Sequence, residues 1–187
     1  MLALATNPAL RNSARVWTYL LLLLCCATAP TQADSGYPLN AGDSIRIHVY
    51  GEPDLSFSEI LIGQDGVIAY PFLGEINLVG ATVSALRDTL IAGLKPDFLI
   101  DPRISVSIVK YRPFFVNGQV NRPGGVDFQP GLTLRKAVAL AGGFTERANQ
   151  KQIMLIADAD PQLKEVEVGL DYRVQPGDII TVNQRFF

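Results

Sequence analysis

Few residues in this chain are equipped for chemistry. His48 is the single histidine among 187 residues, and the two cysteines, Cys25 and Cys26, sit side by side after a leucine run near the N-terminus. A three-ligand zinc site or a Ser-His-Asp relay therefore lacks parts. Two carboxylate pairs are left for acid–base work. Glu165 and Glu167 are two apart on a predicted strand and so share a face, and Asp158 and Asp160 share a polar loop. Glycoside cleavage needs two carboxyls roughly 5–10 Å apart in a cleft. Both pairs lie in polar, unpatterned surroundings, which reads better as solvated surface. Gly124-Gly125 and Gly142-Gly143 are not phosphate loops, because neither sits between a strand and a helix with a following Lys-Ser/Thr. His48 alternates with Ile45, Ile47 and Val49 and reads as an exposed strand histidine. No catalytic residue, cofactor site or metal site is assigned.

A repeated phrase is more informative than any of these. Tyr37-Pro-Leu-Asn-Ala-Gly-Asp-Ser-Ile-Arg-Ile and Tyr172-Arg-Val-Gln-Pro-Gly-Asp-Ile-Ile-Thr-Val share the form Tyr-x-φ-x-x-Gly-Asp-x-Ile-x-φ, with φ aliphatic. Gly takes the positive φ of a tight turn, and the following Asp accepts backbone N–H groups. An alternating strand then begins. Gly42, Asp43, Gly177 and Asp178 are thus expected to hold turns rather than ligands. Asp65, Gly66, Pro123 and Gly124 complete this set of turn residues.

The first 33 residues read as an export signal. Arg11 and Arg15 precede an apolar stretch over residues 16–29, and Thr31-Gln32-Ala33 offers a cleavage context before Asp34. The apolar run is short for a membrane span, which needs about 20 residues. An uncleaved inner-membrane anchor is the other reading. A cysteine directly after such a run is where bacterial lipoproteins are cut, which makes Cys25 and Cys26 candidate lipidation sites. The preceding Leu24 or Cys25 is not the small residue that such cutting favours. Loss of this segment removes both cysteines, Trp17, Arg11 and Arg15, and takes the formal charge from −2 to −4. Thiol chemistry is then excluded, and no basic surplus remains for nucleic acid.

The elements follow from periodicity. Residues 44–50 alternate as a half-buried strand, 56–62 form another, and Gln64-Asp65-Gly66 reads as a hairpin turn into 67–70. Pro71-Phe72-Leu73-Gly74 breaks that strand, which resumes at 75–78. Thr82 caps a helix with Val83, Leu86, Leu90, Ile91 and Leu94 on one stripe, ended by Pro96. A strand over 103–111 closes the first module, 37–111. The second, 112–187, has a strand at 114–120, a turn through Pro123 and Gly124, and a return strand at 126–128. A short helix capped by Thr133 and stopped by Gly142-Gly143 follows, and then strands at 152–157, 165–168 and 179–183. The expected class is α+β: a small mixed-sheet module with one amphipathic helix, then a β-grasp-like module. Arg185-Phe186-Phe187, two aromatics just past a strand, are candidates for docking on a neighbour.

These pieces resemble one family over almost the whole of 37–187. The first module carries Tyr37-x-Leu39-x-x-Gly42-Asp43-x-Ile45-x-Ile47, Gly63-x-Asp65-Gly66-x-Ile68-x-x-Pro71-x-x-Gly74, Gly80-x-Thr82 and Asp101-Pro102-Arg103-Ile104-x-Val106. The second carries Val116-x-Gly118-x-Val120-x-x-Pro123-Gly124, Leu134-x-x-Ala137-Val138-x-x-Ala141-Gly142-Gly143 and Pro176-Gly177-Asp178. Their order and spacing resemble the outer-membrane polysaccharide export proteins of the Wza type, with the second set similar to the soluble-ligand-binding β-grasp (SLBB) domain.

The resemblance implies export rather than catalysis. It implies a periplasmic, outer-membrane-associated homo-oligomeric ring that conducts capsule or exopolysaccharide, served by an inner-membrane co-polymerase commonly coupled to a tyrosine kinase. Larger members add β-grasp repeats and a C-terminal pore helix. The sequence to Phe187 has one β-grasp unit and no such helix, so the expectation is a short form whose outer-membrane passage is supplied by a β-barrel partner. The alternatives are a monomeric periplasmic β-grasp module binding a soluble saccharide or small ligand, and a polysaccharide-modifying hydrolase using Glu165 or Glu167.

Overall fold

The computed structural model describes residues 36–185. The predicted signal segment, Cys25, Cys26, Phe186 and Phe187 lie outside the described residues. The architecture is α+β, with ten strands and two α-helices among the described residues.

The N-terminal part holds β1 (Ser44–Val49), β2 (Phe57–Leu61), β3 (Val67–Tyr70), β4 (Gly74–Asn77), α1 (Val83–Leu94) and β5 (Ile104–Lys110). Alternation decides its sheet. Ile45, Ile47 and Val49 of β1 are buried while Arg46 and His48 are exposed. β1 lies between β2 and β5, antiparallel to both. α1 begins where the Thr82 Oγ1 accepts the Ala85 N–H at 3.1 Å and closes at Lys95, before Pro96. Its buried stripe, Leu86, Leu90 and Leu94, joins Leu39, Ile45, Ile47 and Leu78 in one core.

Two strand partnerships differ from the sequence reading. The turn at Gln64-Asp65-Gly66 is present, with Gly66 at φ 68°. It does not join a hairpin, because β2 pairs with β1 while β3 pairs with β4. The stretch Pro71-Phe72-Leu73-Gly74 is not a break in one strand. It is the turn of the β3–β4 hairpin, with Tyr70 opposite Gly74. Alternation reports which face a residue takes but not which strand lies beside it.

The C-terminal part holds β6 (Phe114–Gly118), β7 (Gly124–Val126), α2 (Leu134–Leu140), β8 (Ala148–Ile156), β9 (Glu165–Val168) and β10 (Ile179–Gln184). These strands form one mixed sheet in the order β7-β6-β10-β8-β9. The last strand, β10, is central: it runs parallel to β6 and antiparallel to β8. Leu134, Ala137, Val138 and Ala141 pack with Phe114, Ile153 and Ile180 in a second core.

β7 lies two residues earlier than the predicted 126–128 strand, because Val126 pairs with Phe114 and Gly124 with Val116. Thr133 is at the N-cap of α2 but its side chain makes no capping bond. The first helical N–H groups are taken by tertiary partners instead, Leu134 N–H by the Tyr172 carbonyl and Arg135 N–H by that of Leu170. At the other end Asn121 Nδ2 and Arg122 Nη2 donate to the carbonyls of Gly142 and Leu140. The turn through Pro123 and Gly124 is thereby tied to the helix terminus.

Candidate functional site

The two copies of the repeated phrase fold into the same small device. In the first, the Tyr37 hydroxyl donates to both Asp43 carboxylate oxygens at 3.0 and 2.9 Å, and the Asn40 N–H donates to Oδ2 at 2.9 Å. In the second, the Tyr172 hydroxyl donates to Asp178 Oδ2 at 3.4 Å and the Gln175 N–H to the same oxygen at 2.8 Å. Gly42 and Gly177 have φ of 89° and 86°, a region open to glycine at little cost. Both carboxylates are fully buried. A buried carboxylate needs this many donors, because unpaired burial of the charge would be very costly.

One residue ties the first device to the loop that the second device holds. Arg112 lies between β5 and β6. Its backbone N–H donates to Asp43 Oδ1 at 2.8 Å, and its Nη1 donates to Asp43 Oδ2 at 3.2 Å and to the Tyr37 hydroxyl. Its Nη2 donates to Asp158 Oδ2 at 2.7 Å. The Asp158 N–H in turn donates to Asp178 Oδ1 at 3.3 Å. The guanidinium also sits 5.7 Å from the Tyr37 ring centre. Backbone bonds follow the same seam: Gly177 N–H to the Pro113 carbonyl and Phe115 N–H to the Asp178 carbonyl. Beside it, Tyr111 packs edge-on against both Tyr37 and Phe128. A single guanidinium thus spans carboxylates from the two modules, in the forked geometry that suits Arg rather than Lys.

Burial sets the electrostatics. Burial pushes the Asp178 carboxyl above the usual carboxylate range, partly opposed by the N–H groups of Gln175 and Asp158. The Tyr37 phenol is driven well up, first by burial and then by the Asp43 charge. Tyr172 is raised by burial and by Asp178. The arrangement is a clamp in which Arg112 Nη1 and Nη2 and the two buried carboxylates are partnered, while the buried Arg112 Nε has no hydrogen-bond partner among the described residues. A cleft of about 210 Å³ opens beside it, lined by Tyr37, Arg112, Asp158 and Tyr172 among others.

The remaining candidates are scattered. Asp65 Oδ1 accepts the Val67 N–H at 3.2 Å, next to Gly66. Gly124 has φ 142° at the start of β7. Glu165 and Glu167 are exposed on the edge strand β9. Asp158 and Asp160 share one solvent-facing loop, exposed at Asp158, but they have separate partners. Asp160 does serve its own loop, accepting N–H groups from Gln162 and Lys164. Asp158 is a partner of Arg112, and its side chain is 34% exposed. Sequence reasoning missed Arg112, and it named Asp158 only as a loop acid and not as the partner of Arg112. The available signal was a lone charge in the Tyr111-Arg112-Pro113 break, between two aspartates each predicted to be turn-bound. Among the described residues no group of His, Cys, Asp and Glu side chains converges as a metal site.

Two family models match the chain in succession. Residues 31–109 match the model of the polysaccharide biosynthesis/export protein family, and residues 113–165 match the SLBB domain. Strand β10, central in the second sheet, lies beyond the latter match. The chain is 28% identical to the exopolysaccharide production protein ExoF of Rhizobium meliloti over 143 residues, covering 70% of this chain and 34% of that protein. It is 26% identical to the EPS I polysaccharide export outer membrane protein EpsA of Ralstonia nicotianae over 183 residues, covering 80% of this chain and 48% of the relative. The chain therefore spans between a third and a half of these relatives. An export-family module followed in order by an SLBB module, with both relatives bearing exopolysaccharide names, places this chain in the polysaccharide export protein family.

Proposed function

We propose that this chain is an envelope component of an exopolysaccharide export apparatus, located in the periplasm and associated with the outer membrane. It acts as one subunit of an oligomeric ring that conducts the polymer, and it works with an inner-membrane co-polymerase. The observation that carries this reading is the export-family match followed directly by the SLBB match. The seam gives it physical sense. A conduit wall built from two modules per subunit needs a fixed angle between them, and the Asp43–Arg112–Asp158 clamp supplies one. A moving polymer is served by many weak, equivalent contacts, since tight capture at one position would stall it.

Gene deletion with complementation tests the proposal. The expected result is loss of surface and medium polysaccharide, restored by the wild-type gene, with the polymer repeat unit still made. Unchanged export in the deletion strain would remove the proposal. Native mass spectrometry of the purified chain tests the ring: a strict monomer at high concentration counts against it.

A further inference from the structure

The outer face of the β2-β1-β5 sheet carries a row of polar and aromatic side chains. Strand alternation places Arg46, His48 and Tyr50 on that face of β1 and its end, all exposed, while Ile45, Ile47 and Val49 enter the core. The register sets Ser107 opposite Arg46 and Ser105 opposite His48, and the Tyr50 N–H bonds to the Arg103 carbonyl. The result is three rows across two strands, Arg46–Ser107, His48–Ser105 and Tyr50–Arg103. At about 3.4 Å per residue the face runs on the order of 14 Å from Arg46 to Tyr50, enough for more than one sugar ring.

Two further observations point to a ligand. The pairing of β1 with β2 is irregular between Ile45 and Ile47, a bulge that leaves Ser58 and Glu59 between the inward-facing Phe57 and Ile60. Bulges of this kind re-aim side chains and recur beside functional sites. Here the bulge borders a cavity wide open to solvent, of about 310 Å³, lined by Arg46, Ile47, His48, Ser56, Phe57 and Ser58. Arg46 is held over it by one bond, Nε to the Ser58 carbonyl at 3.1 Å, and makes no ion pair among the described residues. Its two terminal nitrogens keep their donors. The His48 ring packs edge-on to Tyr50 at 4.5 Å and makes no hydrogen bond among the described residues.

We infer that this face binds an anionic polysaccharide, with a carboxylate-bearing sugar residue seated against Arg46 and His48 in the bulge cavity. The inference rests on the export reading above and names its substrate class. A guanidinium with two free donors matches a carboxylate. The Tyr50 ring offers an apolar face to a sugar, and Ser105, Ser107 and the His48 ring offer donors and acceptors to hydroxyls. No carboxylate stands among the six residues of the three rows. Glu59 on the edge strand β2 and Asp101, 3.9 Å from Arg103 and exposed, flank them. The chain is net negative, so attraction for an anionic polymer has to be local to this face, and flanking acids keep it weak. Arg46, Tyr50 and the exposed Leu61 and Val109 of the same sheet are side chains that protein interfaces also use, but the serines opposite Arg46 and His48 fit a sugar chain better than the centre of such an interface.

The test titrates the purified chain with polygalacturonate fragments, with dextran as the neutral control, and reads amide and side-chain NMR shifts. The expected result is shifts confined to β1, β5 and the bulge, weakened by added salt, with dextran silent. Arg46→Gln should weaken binding by about tenfold, the loss of one charge-assisted contact. Equal binding of dextran, shifts elsewhere, or an unchanged Arg46→Gln affinity would each overturn the inference. So would broadening of the same face with protein concentration alone, which would mark it as a contact between copies. A deletion strain complemented with Arg46→Gln,His48→Gln separates the two levels. If wild type restores export and the double variant restores it fully, the face is not the contact and the export reading stands. If deletion leaves export unchanged, the export reading fails whatever the titration gives.

Discussion

Replacing Arg112 with alanine should uncouple the two modules. The guanidinium is 15% exposed and touches Asp43, fully buried, at 3.2 Å and Asp158, partly exposed, at 2.7 Å. Removing one partner of a buried ion pair generally costs about 3–5 kcal/mol, because the other charge stays buried. Asp43 keeps three other donors after the change: the N–H groups of Asn40 and residue 112, and the Tyr37 hydroxyl. That lowers the expected loss on this side to about 2–3 kcal/mol. The Asp158 side faces solvent more and contributes about 0.5–1 kcal/mol. The total expected loss is thus about 2.5–4 kcal/mol, a large share of the stability of a domain this size. Urea unfolding followed by fluorescence and by far-UV circular dichroism reads it. The midpoint should fall, and the slope should fall too if the modules begin to unfold separately. Arg112→Lys should lie between, since an ammonium reaches one carboxylate well but cannot fork across two. A loss of under about 0.5 kcal/mol for Arg112→Ala, the range of a surface change, would refute this account of the seam.

Other expectations follow from the same geometry. A Cβ on Gly177 would stand 2.5 Å from the Asp158 Cγ at φ 86°, so Gly177→Ala should cost more than the roughly 1–2 kcal/mol of the left-handed backbone alone. Gly131→Ala, at φ 77° with nothing near its Cβ, is the thermal-melting control and should cost only that backbone amount. The Tyr37 and Tyr172 phenols are raised in the folded state, so the folded chain holds its protons above the ordinary tyrosine value of about 10 while the unfolded chain releases them. The stability these protons give is complete below that pH and is lost as pH rises through the folded values. Tyr37→Phe should therefore flatten the alkaline decline measured by urea midpoints from pH 9 to about 11. Thr82→Ala should cost about 1 kcal/mol through its lost bond to the Ala85 N–H. Thr133→Ala should cost less, because that side chain makes no capping bond, and equal losses would contradict the difference between the two helix starts.

Much of the fold was legible without coordinates, and particular residues say why. The Ile45, Ile47, Val49 alternation and the Leu86, Leu90, Leu94 stripe carry their own period, and burial follows the period. Thr82 and Pro96 bound a helix by local sterics and local hydrogen bonds. Thr133 was legible as a helix start but not as one without a side-chain bond, because the carbonyls of Tyr172 and Leu170 that take the helix N–H groups lie in a distant segment. The β3–β4 hairpin was misread for a related reason. Phe72 takes a positive φ of 65° in its turn, which no sequence rule expects of a phenylalanine.

The sequence by itself determined most of the elements, the repeated Gly-Asp turn and the family, because each rests on short-range spacing. It determined that Asp43 and Asp178 would hold turns, since the donors on Asn40 and Gln175 lie three residues away. Only the tertiary structure decided what joins the turns. Arg112 meets Asp43 across 69 residues and Asp158 across 46, and no local pattern encodes such a meeting. It also decided that Arg46, His48 and Tyr50 stand beside Ser107, Ser105 and Arg103 on one open face, because register between distant strands is set by the packing of their opposite, buried faces.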